Sequence, residues 1–279
     1  MPALRLLPVV CLVALCACPG PNQTHPPPGA YVPPGPQTLS CLPNLDGQIS
    51  AAELQPAIGA VESFLISAAG TQPTVDVAGQ VNAAGQHVWD WSATSANDQL
   101  LHLSPTALAG KPYAASFPGG QFTLPLDAAG TIDAIYSEDA QTVWLLGFAS
   151  AQASANGTLL VYQQPVAAYR FPLQPGETWT SVGQVVNGML QGLPYAGQDT
   201  YDISVDAAGQ LDLPDLTFQQ ALRVRTQLTT TPVVGTPVSR RQVSFLFECF
   251  GEVARATSLD NEPNADFTVA SEVRRLGLQ

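Results

Sequence analysis

A helical period is almost absent from this chain. In its place stand short runs in which apolar and polar side chains alternate, cut apart by turn residues. In Val243-Ser244-Phe245-Leu246-Phe247-Glu248-Cys249, positions 243, 245, 247 and 249 fall on one face of a strand. One turn chemistry recurs: Asn82-Ala83-Ala84-Gly85, Asp127-Ala128-Ala129-Gly130 and Asp206-Ala207-Ala208-Gly209. In each, an Asx side chain caps the turn and glycine supplies the positive φ that closes it. The unequal spacing of these strings argues against a structural repeat. Asn156-Gly157 and Pro175-Gly176 mark further turns. Strands are expected over 121–126, 131–137, 142–151, 158–173, 199–205, 220–230, 239–257 and 267–276. Ser50-Ala51-Ala52-Glu53 reads as a capping box, but Pro56 and Gly59 limit the helix to one turn. The chain is then extended through Phe64 and Ile66. The expected fold class is all-β: a single antiparallel domain, either a sandwich or an open, curved half-barrel.

The start of the chain is different in kind. Arg5 and the amino terminus precede an apolar run, Leu6 to Ala17, too short to span a bilayer. That is the layout of a secretory signal over residues 1–17. Its end, Leu15-Cys16-Ala17-Cys18, resembles the lipobox of bacterial lipoproteins, which implies acylation of Cys18 by a palmitate-like chain; the alternative is an ordinary signal peptide with incidental cysteines. Residues 19–40 then hold eight prolines and almost no large apolar side chains, so residues 18–40 are read as a lipidated cysteine followed by an extended linker. At ~3.1 Å per residue it reaches roughly 60–70 Å. The folded domain is expected over 41–279. By the same resemblance, Pro19 rather than Asp after the acceptor favours the outer membrane of a bacterial cell envelope, with the lipid as the membrane contact.

Cysteine usage fits that reading. Cys11 and Cys16 leave with the signal and Cys18 carries lipid, which leaves Cys41 and Cys249. In an oxidising compartment such a pair is most simply a disulfide. A free reactive thiol at either position has no neighbouring His or basic cluster to support it.

Charge narrows the partners. The formal net charge is −12 from 22 acidic and 10 basic residues, which excludes a basic nucleic-acid groove and electrostatic docking to anionic lipid. No cofactor fingerprint, phosphate loop, nucleophile elbow or zinc-protease motif occurs. Of the three histidines, His25 lies in the linker, and His87 and His102 lie in the domain. His87 near Asp90 could be drawn as a base with its orienting acid, though a surface pair is the commoner use of such proximity.

The string YRFPLQPGETW, followed by YDISVDAAGQLDLPDLTFQQALRVRTQ and FLFECFGEVARATS, resembles uncharacterised secreted β-rich lipoproteins of bacteria. The shared elements are Phe171-Pro172-Leu173, the Gly176-to-Trp179 turn, a hairpin running into Leu213-Pro214, Leu222-Arg223-Val224 and the strand opening at Gly251-Glu252-Val253. They span roughly residues 169–258. These motifs are structural punctuation, so they imply fold more than activity. Through a further analogy to periplasmic half-barrels, they imply a sheet that holds acyl chains.

Two motifs carry possible chemistry. Leu42 to Glu53 fits a calcium loop at Asn44, Asp46, Gly47, Ile49 and Glu53, but the first ligand position is Leu42 and the flanking helices are missing. A degenerate loop that turns at Gly47 is the expectation, with weak calcium binding the alternative. Trp89, Trp91 and Trp179 could stack on sugars, although strand tryptophans more often pack in cores. The functional expectation is a non-enzymatic envelope lipoprotein that binds an apolar ligand or another envelope protein, with a carbohydrate-binding module as the alternative.

Overall fold

The alternating runs become strands wherever the next run can hydrogen-bond alongside. A computed structural model describes residues 41–278; the signal segment, Cys18 and the proline-rich stretch lie outside the described residues. One short helix, α1 (Ala51–Leu54), precedes the strands β1 (Glu62–Ser67), β2 (Gln80–Val81), β3 (His87–Asp90), β4 (Asp98–Leu103) and β5 (Thr106–Ala107). A run of connected strands follows: β6 (Phe122–Pro125), β7 (Ile132–Glu138), β8 (Thr142–Ser150), β9 (Leu159–Arg170) and β10 (Thr178–Leu190). The chain closes with β11 (Leu193–Asp212), β12 (Thr217–Pro232), β13 (Val238–Phe247), β14 (Gly251–Ser258) and β15 (Ala270–Leu276).

All fifteen strands belong to one open sheet, in the order β4-β1-β15-β14-β13-β12-β11-β10-β9-β8-β7-β6-β5. Neighbours are antiparallel, except that β3 runs parallel to the end of β11 and pairs with β2 on its other side. The two edges, β4 and β5, are consecutive in the chain with only Ser104 and Pro105 between them. A two-residue link holds those edges within about 10 Å of each other, so the sheet must curl right round. Electrostatics report the same curl. Tyr136 on β7 feels Arg255 and Glu252 on β14, although β7 and β14 stand seven places apart in the order.

The sheet has a concave face and an outer face, and the alternation on β13 divides them. Phe245 and Val243 face outward, onto Trp89, Trp91, Val77 and Phe267, while Leu246 joins Leu222, Val224 and Ile203 inside. The outer layer is thus no second sheet; it is made by crossing segments. Residues 75–91 cover β12–β15, and residues 108–117 cover β7 and β8 through Leu108, Tyr113 and Phe117. Of the two expected architectures, the open curled sheet is the one adopted. Trp89 is fully buried against Phe245, with ring centroids 4.8 Å apart, and its indole N–H donates to the Ala78 carbonyl. A side chain at Gly79 would place its Cβ 2.4 Å from the Trp89 ring, so the close approach there requires glycine.

Several expectations need correction. Asp206-Ala207-Ala208-Gly209 is no turn; it lies inside β11, where bulges at Val205/Ala207 and Gly209/Leu211 absorb it. The run 239–257 is two strands split by a turn at Glu248–Phe250, and Cys249 sits in that turn at φ 67°. The alternation expected of strand 142–151 is broken as well. Bulges around Trp144 and Gly147 send Leu146 to the outer layer with Phe117, and Phe148 inward against Tyr162.

Candidate functional site: the concave face and its strap

One end of the curl is crossed by the first described residues. Cys41 and Cys249 are joined by a disulfide across 208 positions, Cα to Cα 5.6 Å. Glu248 accepts hydrogen bonds from the amides of Asn44 and Leu45 at 2.6 and 2.8 Å, and the Cys249 amide donates to the Glu53 carbonyl. Further on, Ile49 and Leu173 exchange two backbone hydrogen bonds of 2.9 Å. Residues 41–54 therefore form a strap from the β13–β14 turn to the β9–β10 turn. Ile49, 1% exposed, plugs into the concave cluster from that end.

The strap uses the side chains of the calcium-like loop for its own folding. The Asn44 side chain accepts from the Asp46 amide, and the Asp46 side chain accepts from the Gln48 amide, each at 2.9 Å. The Glu53 carboxylate takes the Ser50 amide and hydroxyl at 2.9 and 2.7 Å, the expected capping box. Gly47, at φ 84°, makes the turn.

Beyond the strap, the concave face is lined by Tyr136, Phe148, Tyr169 and Leu228, each partly accessible though packed against the inner cluster. Burial raises the Tyr136 hydroxyl to about 12, the charges of Arg255 and Arg274 opposing and Glu252 assisting. Tyr169 is raised further, again chiefly by burial.

Facing them from β14 and β15 is an ionic group. Arg255 lies 3.5 Å from Glu252 and 3.8 Å from Glu272, and Arg274 donates to Glu272 at 3.1 Å. Burial opposes the charge on Arg255, but the two glutamates outweigh it; Arg274 is lowered by burial and by Arg255 beside it. The Nε atoms of both arginines are buried without a hydrogen-bond partner. Glu62 on β1 is pushed up by burial and by the charge of Glu252. Toward the opposite end, Tyr162 donates to Asp199 at 2.6 Å and pairs with the Tyr201 hydroxyl at 3.0 Å. This arrangement combines aromatic wall with a few fixed charges, as small-molecule sites do.

The residues singled out from sequence fall elsewhere. Trp89, Trp91 and Trp179 are buried, 0%, 5% and 7% exposed, and none presents a face for a sugar to stack on. The indoles of Trp91 and Trp179 donate to the Asp76 and Ala167 carbonyls. His87 stacks on Trp89, Asp90 is held by Ser92, and His102 pairs with Ser63, so no base–acid pair forms. The Arg255–Glu252–Glu272–Arg274 group was missed because charged alternates on a half-buried strand read as its solvent face. An open groove of about 360 Å³ crosses Thr180, Asp202, Arg225 and Arg241. Its arginines are already tied to Asp206, Asp266 and the Glu262 carbonyl. A second groove, about 510 Å³, lies between α1 and Phe122–Glu138.

Fold and lining together define a single-sheet β protein, curled over an enclosed aromatic and ionic face and strapped at one end by a disulfide. No family model matches the chain, and no curated protein or solved structure matches it.

Proposed function

We propose that this chain is a non-enzymatic, lipid-anchored envelope protein that carries an apolar or amphiphilic ligand against the concave face of its sheet. The observation that carries the reading is the partly accessible aromatic wall of Tyr136, Phe148 and Tyr169 on the inner face of the curl. An acyl chain laid against it gains about 0.8 kcal/mol per buried methylene. The Arg255–Glu252–Glu272–Arg274 group supplies hydrogen-bonding capacity for a polar head. Acylation of Cys18 and residence at the outer membrane complete the proposal; they rest on the lipobox resemblance and on the oxidising compartment that a Cys41–Cys249 bridge requires. The sugar-binding alternative is set aside because its three tryptophans are interior.

Native mass spectrometry of the protein purified from its own envelope tests the reading. A bound lipid, released on denaturation and diminished by Phe148→Asp, is the expected result. A bare chain of unmodified mass at Cys18 overturns both parts.

A further inference from the structure

The end of the sheet opposite the strap is built from three hairpin tips: 151–158 between β8 and β9, the β10–β11 turn, and 231–237 between β12 and β13. The tips are tied together. Gly192 donates to the Gly157 carbonyl at 3.0 Å, Gln191 to the Thr158 hydroxyl at 3.2 Å, and Val233 to the Ala196 carbonyl at 2.9 Å. Met189, Leu190, Leu193, Val233 and Val234 project from them, 37%, 40%, 69%, 76% and 89% exposed.

What distinguishes this end is the absence of charge. Residues 140–169, 178–198 and 226–239 are stretches of 30, 21 and 14 positions without a single Asp, Glu, Lys, Arg or His, in a chain of net charge −12. These stretches supply all three tips. Farther out on either flank lie Asp127 in the β6–β7 turn and Asp260 after β14, the latter paired with Arg240 on β13. We propose that this end docks on the surface of an electrically neutral lipid bilayer, its tips entering the interfacial region.

Three features select that occupant. Convex tips with side chains up to 89% exposed offer no groove for a protein partner, but they fit a fluid surface that closes around them. Entry into a medium of low dielectric constant is costly for charges and for unpaired backbone groups; here charges are missing and the amides of Gln191, Gly192 and Val233 are taken up by the neighbouring hairpins. The net charge of −12 opposes binding to anionic lipid and leaves a zwitterionic surface. The N-terminal connection permits the geometry. Cys41 is fixed at the strap end, and 22 residues can span at most roughly 70–80 Å by covalent geometry, more than the roughly 43 Å of a 13-residue strand such as β10.

A chain of residues 19–279, with its disulfide formed, keeps the whole described fold and lacks Cys18, the proposed acylation site. This chain should co-sediment with phosphatidylcholine vesicles, equally at low and high salt. Leu193→Asp/Val233→Asp/Val234→Asp should weaken the partition by roughly tenfold or more, with the thermal unfolding midpoint unchanged. Should that variant misfold, Leu193→Ser/Val233→Ser should show the same direction of change. No co-sedimentation, an undiminished triple variant, binding only to anionic vesicles, or self-association abolished by the same substitutions would each overturn the proposal. The test is independent of any ligand on the concave face, so a bare interior leaves it standing.

Discussion

Arg223 ties the outer layer to the sheet at a single side chain. Its guanidinium is 6% exposed, grips Asp206 with two hydrogen bonds of 2.8 and 3.0 Å, and donates to the carbonyls of Val77 and Ala78 while lying over the Trp89 ring. Burial alone would raise the Asp206 carboxyl, but the hydrogen bonds and charges of Arg223 and Arg225 outweigh it and hold the group below its usual value. A depressed carboxylate stabilises the fold above its unfolded value, and that contribution disappears as pH falls through the depressed one. Asp206→Asn should therefore cost about 2–3 kcal/mol at neutral pH. That is less than the loss from a fully buried pair, because Arg223 keeps two carbonyl acceptors and Asp206 is partly exposed. Urea unfolding at neutral pH and at about pH 3 should show the gap between variant and parent narrowing in acid; a constant gap would refute the ion-pair account. Asp206 also shows why one string read two ways. Asp127-Ala-Ala-Gly130 closes a turn because the Asp127 side chain accepts from Thr131. At 206 the same residues stay extended, because two arginines on the neighbouring strand take the carboxylate and β3 passes close to Gly209. A Cβ there would meet the His87 carbonyl at 2.3 Å. Nothing local distinguishes the two strings.

At the scale of elements, the strands richest in alternation were legible to within a few residues: β6, β7, β8, β9, β12 and β15 all lie close to their expected spans. β10 was not foreseen. Its inward positions include Ser181 and Gly183, small because the Tyr162 ring occupies the space a Cβ at 183 would need, and so its apolar period is diluted. The strap was half legible. Pairing of Cys41 with Cys249 followed from counting, while the path of the segment between them depends on Ile49, Glu53 and Glu248 finding partners hundreds of positions away or around a turn. A bridge closing about 200 residues restricts the unfolded chain by about 4–5 kcal/mol in the chain-entropy account. Cys41→Ala/Cys249→Ala should lower stability by about 3–5 kcal/mol, and limited proteolysis should cut first within 41–54, since the strap then hangs only on its hydrogen bonds to Glu248, Cys249 and Leu173 and on the burial of Ile49. If the double variant unfolds at the same urea concentration as the parent, the strap contributes nothing to the fold.

The curl belongs to the whole molecule and has no local sequence signature. It arises because thirteen strands along one path, each twisted against the last, bring β4 and β5 to the same two-residue link. Its chemical consequence is that Tyr136, Tyr162, Tyr169 and Tyr201, from distant strands, face into protein, as Tyr113 does under the outer layer. Six tyrosines, Tyr113, Tyr136, Tyr162, Tyr169, Tyr195 and Tyr201, are all raised above the ordinary phenol value, burial being the largest cause at every one. Tyr136 is raised to about 12. A phenol whose folded value is raised binds its proton longer in the native state than in the unfolded one, so each of these groups removes stability as pH climbs from about 10 toward its folded value. An alkaline titration followed by tyrosinate absorbance should then show little ionisation from these six near pH 10. Beyond that, a steep rise should coincide with loss of the near-ultraviolet circular dichroism. On an uncurled sheet with a wetted inner face, Tyr136 and Tyr169 would ionise as free phenols do, gradually and without unfolding, and that outcome would remove the enclosed wall on which the proposed ligand site depends.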